Sequence, residues 1–138
     1  MKNKILLVGL FCCSLVSTEA QVLLDKNAGK NSFPIVSPAA NVVVCFDGKD
    51  ETVVRKSVTL FADDVRRVTG QDLKTQASNP GDVSARYAII VGTVGKSAWI
   101  NALVAQKKID TTPITGGWER YMIETVDNPA PGIKKAIV

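Results

Sequence analysis

The chain has 138 residues, 46% of them hydrophobic and 22% charged, with a formal net charge of +4 and no histidine. That length suits one domain with one core. The lysines are spread singly apart from Lys107-Lys108 and Lys134-Lys135, without interleaved aromatic rings, which excludes a nucleic-acid groove.

Residues 1–20 read as a secretion signal. Lys2 and Lys4 give a positive start, residues 5–16 an apolar core, and Thr18-Glu19-Ala20 a cleavage site with small residues at −3 and −1. The apolar core is shorter than the ~20 residues a helix needs to cross a bilayer, so no membrane span is expected. Cys12 and Cys13 lie inside it, but Phe11 stands where a lipidated cysteine needs a small residue before it. Cleavage removes Lys2, Lys4 and Glu19, two positive charges and one negative, which lowers the formal charge from +4 to +3. The address expected for the product is secreted or periplasmic.

Residues 21–32 are polar and mixed, a flexible leader. Phe33-Pro34-Ile35-Val36 is short and extended, and its proline confines it to an edge if it pairs at all. Residues 41–46, Asn-Val-Val-Val-Cys-Phe, form a near-continuous apolar run suited to a strand covered on both faces. Cys45 in that run is the only cysteine left after cleavage, so no internal disulfide forms. Without a histidine partner it reads as a small buried hydrophobe and not as a catalytic thiolate.

Asp47-Gly48-Lys49-Asp50 is a turn, with Asp50 placed to accept amides at the start of a helix over 51–69. Val54, Val58, Phe61, Val65 and Val68 step by four and three along one face, and Gly70 supplies a left-handed stop. Asp63 and Asp64 are adjacent on the helix and diverge by about 100°, so they cannot flank one bond. An i,i+4 pair of Asp63 with Arg67 is expected instead. A polar segment follows over 71–86, then a strand over 87–91, parallel to the first through a right-handed crossover.

The stretch Ile89-Ile90-Val91-Gly92-Thr93-Val94-Gly95-Lys96-Ser97 is a strand–turn–helix junction. It misses the phosphate-loop pattern G-x-x-x-x-G-K-[ST], because Ile90 stands where the first glycine belongs. Exposed amides over 92–97, with Lys96 beside them, leave an anion site as one reading. Glycines that let strand and helix backbones approach closely are the plainer one. A second helix is expected over 97–108, capped by Ser97, with Trp99, Ile100, Leu103 and Val104 buried and Lys107 and Lys108 at its negative pole.

A loop over 109–117 then feeds Trp118 and a strand over 119–126. Residues 127–132 turn the chain back, so the final apolar run pairs antiparallel with that strand. The run stops at Val138 without turn, cap or polar tail, and Val138 is expected to be the cut edge of a longer polypeptide, its sheet left with an uncovered border. The fold class is α/β, a mixed sheet with two main helices in βαβαββ order, incomplete at the C-terminus.

Trp118 with Glu119 and Arg120 fits a sugar platform beside an acid, although a tryptophan at the mouth of a strand more often seals a core or a domain interface. The carboxylates fall mostly in turns or on solvated faces, and none pairs by spacing as the acid and base of glycoside hydrolysis. Without histidine only a hard-cation site of oxygens is open, and the EF-hand spacing is absent. No catalytic, metal or cofactor residue is assigned, and no cofactor is expected.

Three blocks in order carry a family resemblance. They are Val65-Arg66-Arg67-Val68-Thr69-Gly70, then residues 89–97, then Gly116-Gly117-Trp118-Glu119-Arg120-Tyr121-Met122-Ile123 continuing through Asn128-Pro129-Ala130-Pro131-Gly132 to Ala136-Ile137-Val138. Over residues 33–138 the chain resembles the amino-terminal domain of glycoside hydrolase family 115, secreted or periplasmic xylan α-1,2-glucuronidases that remove glucuronic or 4-O-methylglucuronic acid from xylan. The resemblance implies a mixed sheet with packed helices ahead of a TIM-like barrel. The catalytic acid and uronate-binding groups then lie in the barrel, beyond Val138, and none is carried onto this chain. Its xylan partner would be met through that missing domain. One departure is Gly117, where a lysine or similar polar residue is expected, and a loosened loop would follow. Two other functions stay open: a free-standing carbohydrate-binding module, which needs Trp118 and Tyr121 exposed in one plane, and an anion- or nucleotide-binding protein using residues 92–97.

Overall fold

The computed structural model describes residue 29, residues 32–37 and residues 40–138. The expected signal over 1–20 and most of the leader lie outside the described residues. The elements run β1 (Val42–Phe46), α1 (Thr52–Thr69), β2 (Lys74–Ala77), β3 (Tyr87–Val91), α2 (Ala98–Ala105), β4 (Thr125–Ala130) and β5 (Ile133–Ile137). They form one mixed five-stranded sheet in the order β2-β1-β3-β5-β4, in which only β4 is antiparallel to its neighbour.

The sheet is buried on both faces, and β1 shows why. Successive side chains of a strand point to opposite faces. Val42, Val44 and Phe46 pack with Val54 and Val58 of α1, whereas Val43 and Cys45 pack with Trp99, Ile100 and Leu103 of α2. The two helices therefore lie on opposite faces, and all five residues of β1 must be apolar, as they are. On the α1 face Phe33 meets Tyr87 edge-on at 5.6 Å, so the residues around Pro34 cover the sheet without joining it.

Several expectations needed correction. The polar segment over 71–86 contains β2, an edge strand whose side chains are mostly exposed and which therefore lacks an alternating apolar signal. Along α1, Val54, Val58 and Val65 are buried, but Phe61 is partly exposed and Val68 is 85% exposed. An 18-residue helix is about 27 Å long while five-residue strands span about 17 Å, so the last turn overhangs the sheet. Gly70 ends the helix in the left-handed conformation expected, its amide bonding Arg66 O at 2.8 Å. The charged face pairs at i,i+3, Asp63 with Arg66 and Asp64 with Arg67, instead of Asp63 with Arg67.

The strand expected over 119–126 begins only at Thr125, and Glu119, its expected first residue, takes a left-handed φ of 52°. Residues 127–130 belong to the strand and not to the turn. Asn128 (φ 49°) and Pro129 form a bulge between Asp127 and Ala130, a place where an edge strand tolerates a proline. The antiparallel return of β5 on β4 is as expected. β5 is nonetheless not a border: it lies between β3 and β4, and the sheet edges are β2 and β4.

Helix α2 stops at Ala105, three residues short of the predicted end, because Lys107 adopts φ 55° and turns the chain out of the helix. The ammonium of Lys108 then reaches the Asn128 and Pro129 carbonyls at the bulge instead of the helix pole. No helix among the described residues is long and apolar enough to cross a membrane.

Candidate functional site

The chain steps from β1 to β2 on one side and, after β2, crosses to β3 on the other. The switch point therefore lies between the carboxyl ends of β1 and β3, where open α/β sheets place their ligands. Two loops meet there. Residues 47–51 leave β1 and residues 92–97 leave β3.

The second loop is built around Gly92. A Cβ on that residue would stand 2.4 Å from Ser97 Oγ, 2.5 Å from its Cβ and 2.8 Å from Ile100 Cγ1. Only a glycine allows the end of β3 to come this close to the start of α2. The plainer reading of the glycine junction is thus the one the packing supports.

The amides of Thr93, Lys96 and Ser97 in this loop and of Ala98 just after it are already occupied. Asp50 Oδ2 accepts from Thr93 N at 2.8 Å while its Oδ1 accepts from Glu51 N at 2.7 Å. Asp47 Oδ2 accepts from Ala98 N, the first residue of α2, and its Oδ1 from Lys49 N, both at 2.8 Å. Lys96 pairs with Glu51 across the gap. The carboxylates of one loop therefore sit where an incoming anion would sit on the other, in the positive field of a helix start.

This also corrects both expected caps. Ser97 makes no side-chain cap bond to α2, and its fully buried hydroxyl has no partner among the described residues. Asp47 serves α2 in its place, from 51 residues away. Asp50 does not reach into α1 beyond Glu51, since its other oxygen is spent on Thr93. The amide bonds from Lys49 and Ala98 hold the Asp47 carboxyl below the ordinary carboxylate value. A glycosidic acid needs the opposite shift. Bonds from Thr112 likewise hold Asp110 low. Burial raises the Cys45 thiol to about 11, which leaves it un-ionised at neutral pH and unsuited to nucleophilic work. No group of three or more acidic or cysteine side chains among the described residues is arranged to hold a metal.

One strand further along, the ladder of β3 with β1 continues to Phe46↔Val91, and that with β5 runs to Ile89↔Ile137. A groove of about 610 Å³ lies there, roofed by the segment 109–123. Asp110 Oδ1 accepts from Thr112 N at 2.9 Å, and Thr111 O accepts from Ile114 N, Thr115 N and Thr115 Oγ1. Gly117 does not loosen this loop. A Cβ there would lie 2.1 Å from Arg120 Cδ, so the arginine stem fills the space and its Nη1 donates to Pro113 O at 3.2 Å.

The braced loop holds its large side chains outward. Trp118 is 87% exposed, Tyr121 82% and Ile123 62%. Trp118 seals no core within the described residues. That task falls to Trp99, 1% exposed, whose Nε1 donates to Ser78 O at 2.7 Å. The neighbouring Glu119, Arg120 and Tyr121 were legible as candidates in sequence, whereas the cross-loop roles of Asp47 and Asp50 were not. Comparison of the sequence with protein-family models and with curated proteins gives no match in either case.

Proposed function

We propose that this chain is the amino-terminal, non-catalytic domain of a secreted or periplasmic glycoside hydrolase that removes glucuronic or 4-O-methylglucuronic acid from xylan. The order of the three sequence blocks supports this reading, and the mixed sheet with a helix on each face is consistent with the architecture the resemblance implies. The observation that carries it is the exposure of Trp118, Tyr121 and Ile123 within the most specific of those blocks. Large apolar side chains held out by a braced loop serve contact with another surface, since nothing in the domain's own core requires them. The carboxylates of the switch point are committed to backbone amides, which fits a domain without its own hydrolytic pair.

The test is direct. The purified 138-residue product releases no glucuronic acid from glucuronoxylan, whereas the product of the full reading frame does. Turnover by the short product, or a frame beyond codon 138 that encodes no barrel, overturns the proposal.

The same exposure favours a second reading, a free-standing carbohydrate-binding module with Trp118 and Tyr121 as its platform. Titration with xylo-oligosaccharides separates the two. Trp99 is buried, so a saturable change in tryptophan emission that disappears in Trp118→Ala supports the module, and a flat titration removes it. An anion or nucleotide site at residues 92–97 is disfavoured, because the Thr93 and Ala98 amides and Lys96 all have internal carboxylate partners.

A further inference from the structure

Helix α1 carries two apolar stripes, and the sheet uses only one. Val54, Val58 and Val65 face inward and are buried, whereas Val53, Leu60, Phe61 and Val68 are exposed, Val53 and Leu60 each at 64%. We propose that the second stripe is the interface of a homodimer, in which two copies of α1 pack antiparallel about a two-fold axis between Leu60 and Phe61.

The stripe is continuous along the helix. At about 100° per residue, Val53, Ser57, Leu60, Phe61, Asp64 and Val68 fall within one arc of about 100° on its flank. They form three pairs seven residues apart, 53 with 60, 57 with 64 and 61 with 68. That repeat keeps a seam facing a partner helix along a shallow crossing. Overhang beyond the sheet does not account for the exposure, since Leu60 stands at mid-helix, two residues from the buried Val58. The stripe is also remote from the groove at the strand ends: Val138 packs into the core beneath α2, on the opposite face of the sheet.

A second copy is the occupant because the stripe is complementary to its own reverse. A two-fold interface sets residue i against j and j against i. With the axis between Leu60 and Phe61, Val53 meets the partner's Val68, Leu60 meets the partner's Phe61, and Ser57 meets the partner's Asp64. Apolar thus faces apolar, and a hydroxyl faces a carboxylate. Asp64 turns Oδ1 to Arg67 at 3.6 Å, which leaves Oδ2 to accept from the partner's Ser57. A parallel pair would instead set Asp64 against the partner's Asp64, two like charges in the seam.

This inference does not rest on the xylan reading. Sedimentation velocity of the purified chain is expected to show a dimer that grows with concentration up to about 1 mM. Leu60→Glu should raise the dissociation constant about tenfold or more, because a charge replaces an apolar contact at the axis. It should keep the circular dichroism and thermal midpoint of the parent, as exposed sites do. Val53→Cys combined with Val68→Cys reads the register. Within one copy the helix holds these positions about 22 Å apart, so a disulfide between them forms only across the interface, and Cys45 is buried away from it. Mild oxidation followed by peptide mapping is expected to find the 53–68 link. A parent that stays monomeric at every concentration, as it would if another segment or a different protein covered the stripe, overturns the proposal. So does a dimer unaffected by Leu60→Glu, or oxidation that joins 53 to 53 and 68 to 68 in place of the 53–68 link.

Discussion

The two crevices at the carboxyl end of this sheet lie one strand apart and have opposite characters. Between β1 and β3, Asp47 and Asp50 cross from one loop to bond the amides of the other, and Lys96 is paired with Glu51. Between β3 and β5 the lining is mostly apolar, with Arg120 its one charged side chain, and Trp118 and Tyr121 project into solvent. The contrast teaches that topology alone does not nominate a site. The switch point, where the strand order reverses, is used here as a clasp.

The sharpest way to break that comparison is to exchange the roles of the two tryptophans. Trp99→Ala is expected to lower stability by about 3–5 kcal/mol, since it empties the core beneath α2 and orphans the Ser78 carbonyl. Trp118→Ala should stay within about 0.5 kcal/mol of the parent, as exposed sites do. Urea denaturation followed by circular dichroism measures both. A large loss at Trp118 would mean that its loop is part of the core after all.

Next in size is the clasp itself. Gly92→Ala forces a methyl into contact with Ser97 and Ile100 and should cost about 1–3 kcal/mol in the same assay. Asp47→Asn leaves one acceptor oxygen for two amides, so one N–H faces an NH₂ group. A loss of about 1–3 kcal/mol is expected.

The clasp also has a sign in pH. The folded value of Asp47 lies below the ordinary 3.8, so its contribution is fully present above 3.8 and is lost as pH falls below it through the folded value. Denaturation midpoints measured between pH 6 and pH 2 should fall more steeply in the parent than in Asp47→Asn. Parallel curves would show that Asp47 is not the titrating group.

The smallest expected effect is a gain. Lys107 holds φ 55° at the end of α2, a conformation costly to a residue with a Cβ. Lys107→Gly should stabilise the chain by up to about 1 kcal/mol, with a higher thermal midpoint as the readout.

How much of this could be read without coordinates follows from the range of each interaction. The apolar run in β1, three of the five positions on the face of α1 (Val54, Val58 and Val65), the stop at Gly70 and the antiparallel return of β5 are local patterns, and each was legible. β2 was not, because an exposed edge strand has no need of alternation. The start of β4 was misplaced by six residues, and the left-handed turn at Glu119 has no sequence mark comparable to a glycine. At the site, Trp118, Arg120 and Tyr121 stood out by type, and Gly92 by its junction. The pairing of Asp47 with Ala98 could not stand out, since the two residues are 51 positions apart and each looks ordinary in its own turn.

By itself the sequence determined the class of fold and the presence of the two helices, because periodicity and turn residues act over a few neighbours. Only the tertiary structure decided that the switch point is closed by its own carboxylates, that Trp99 is buried while Trp118 is exposed, and that Arg120 fills the space left by Gly117. Those outcomes depend on which distant loops share the end of one sheet, and no local pattern encodes that register.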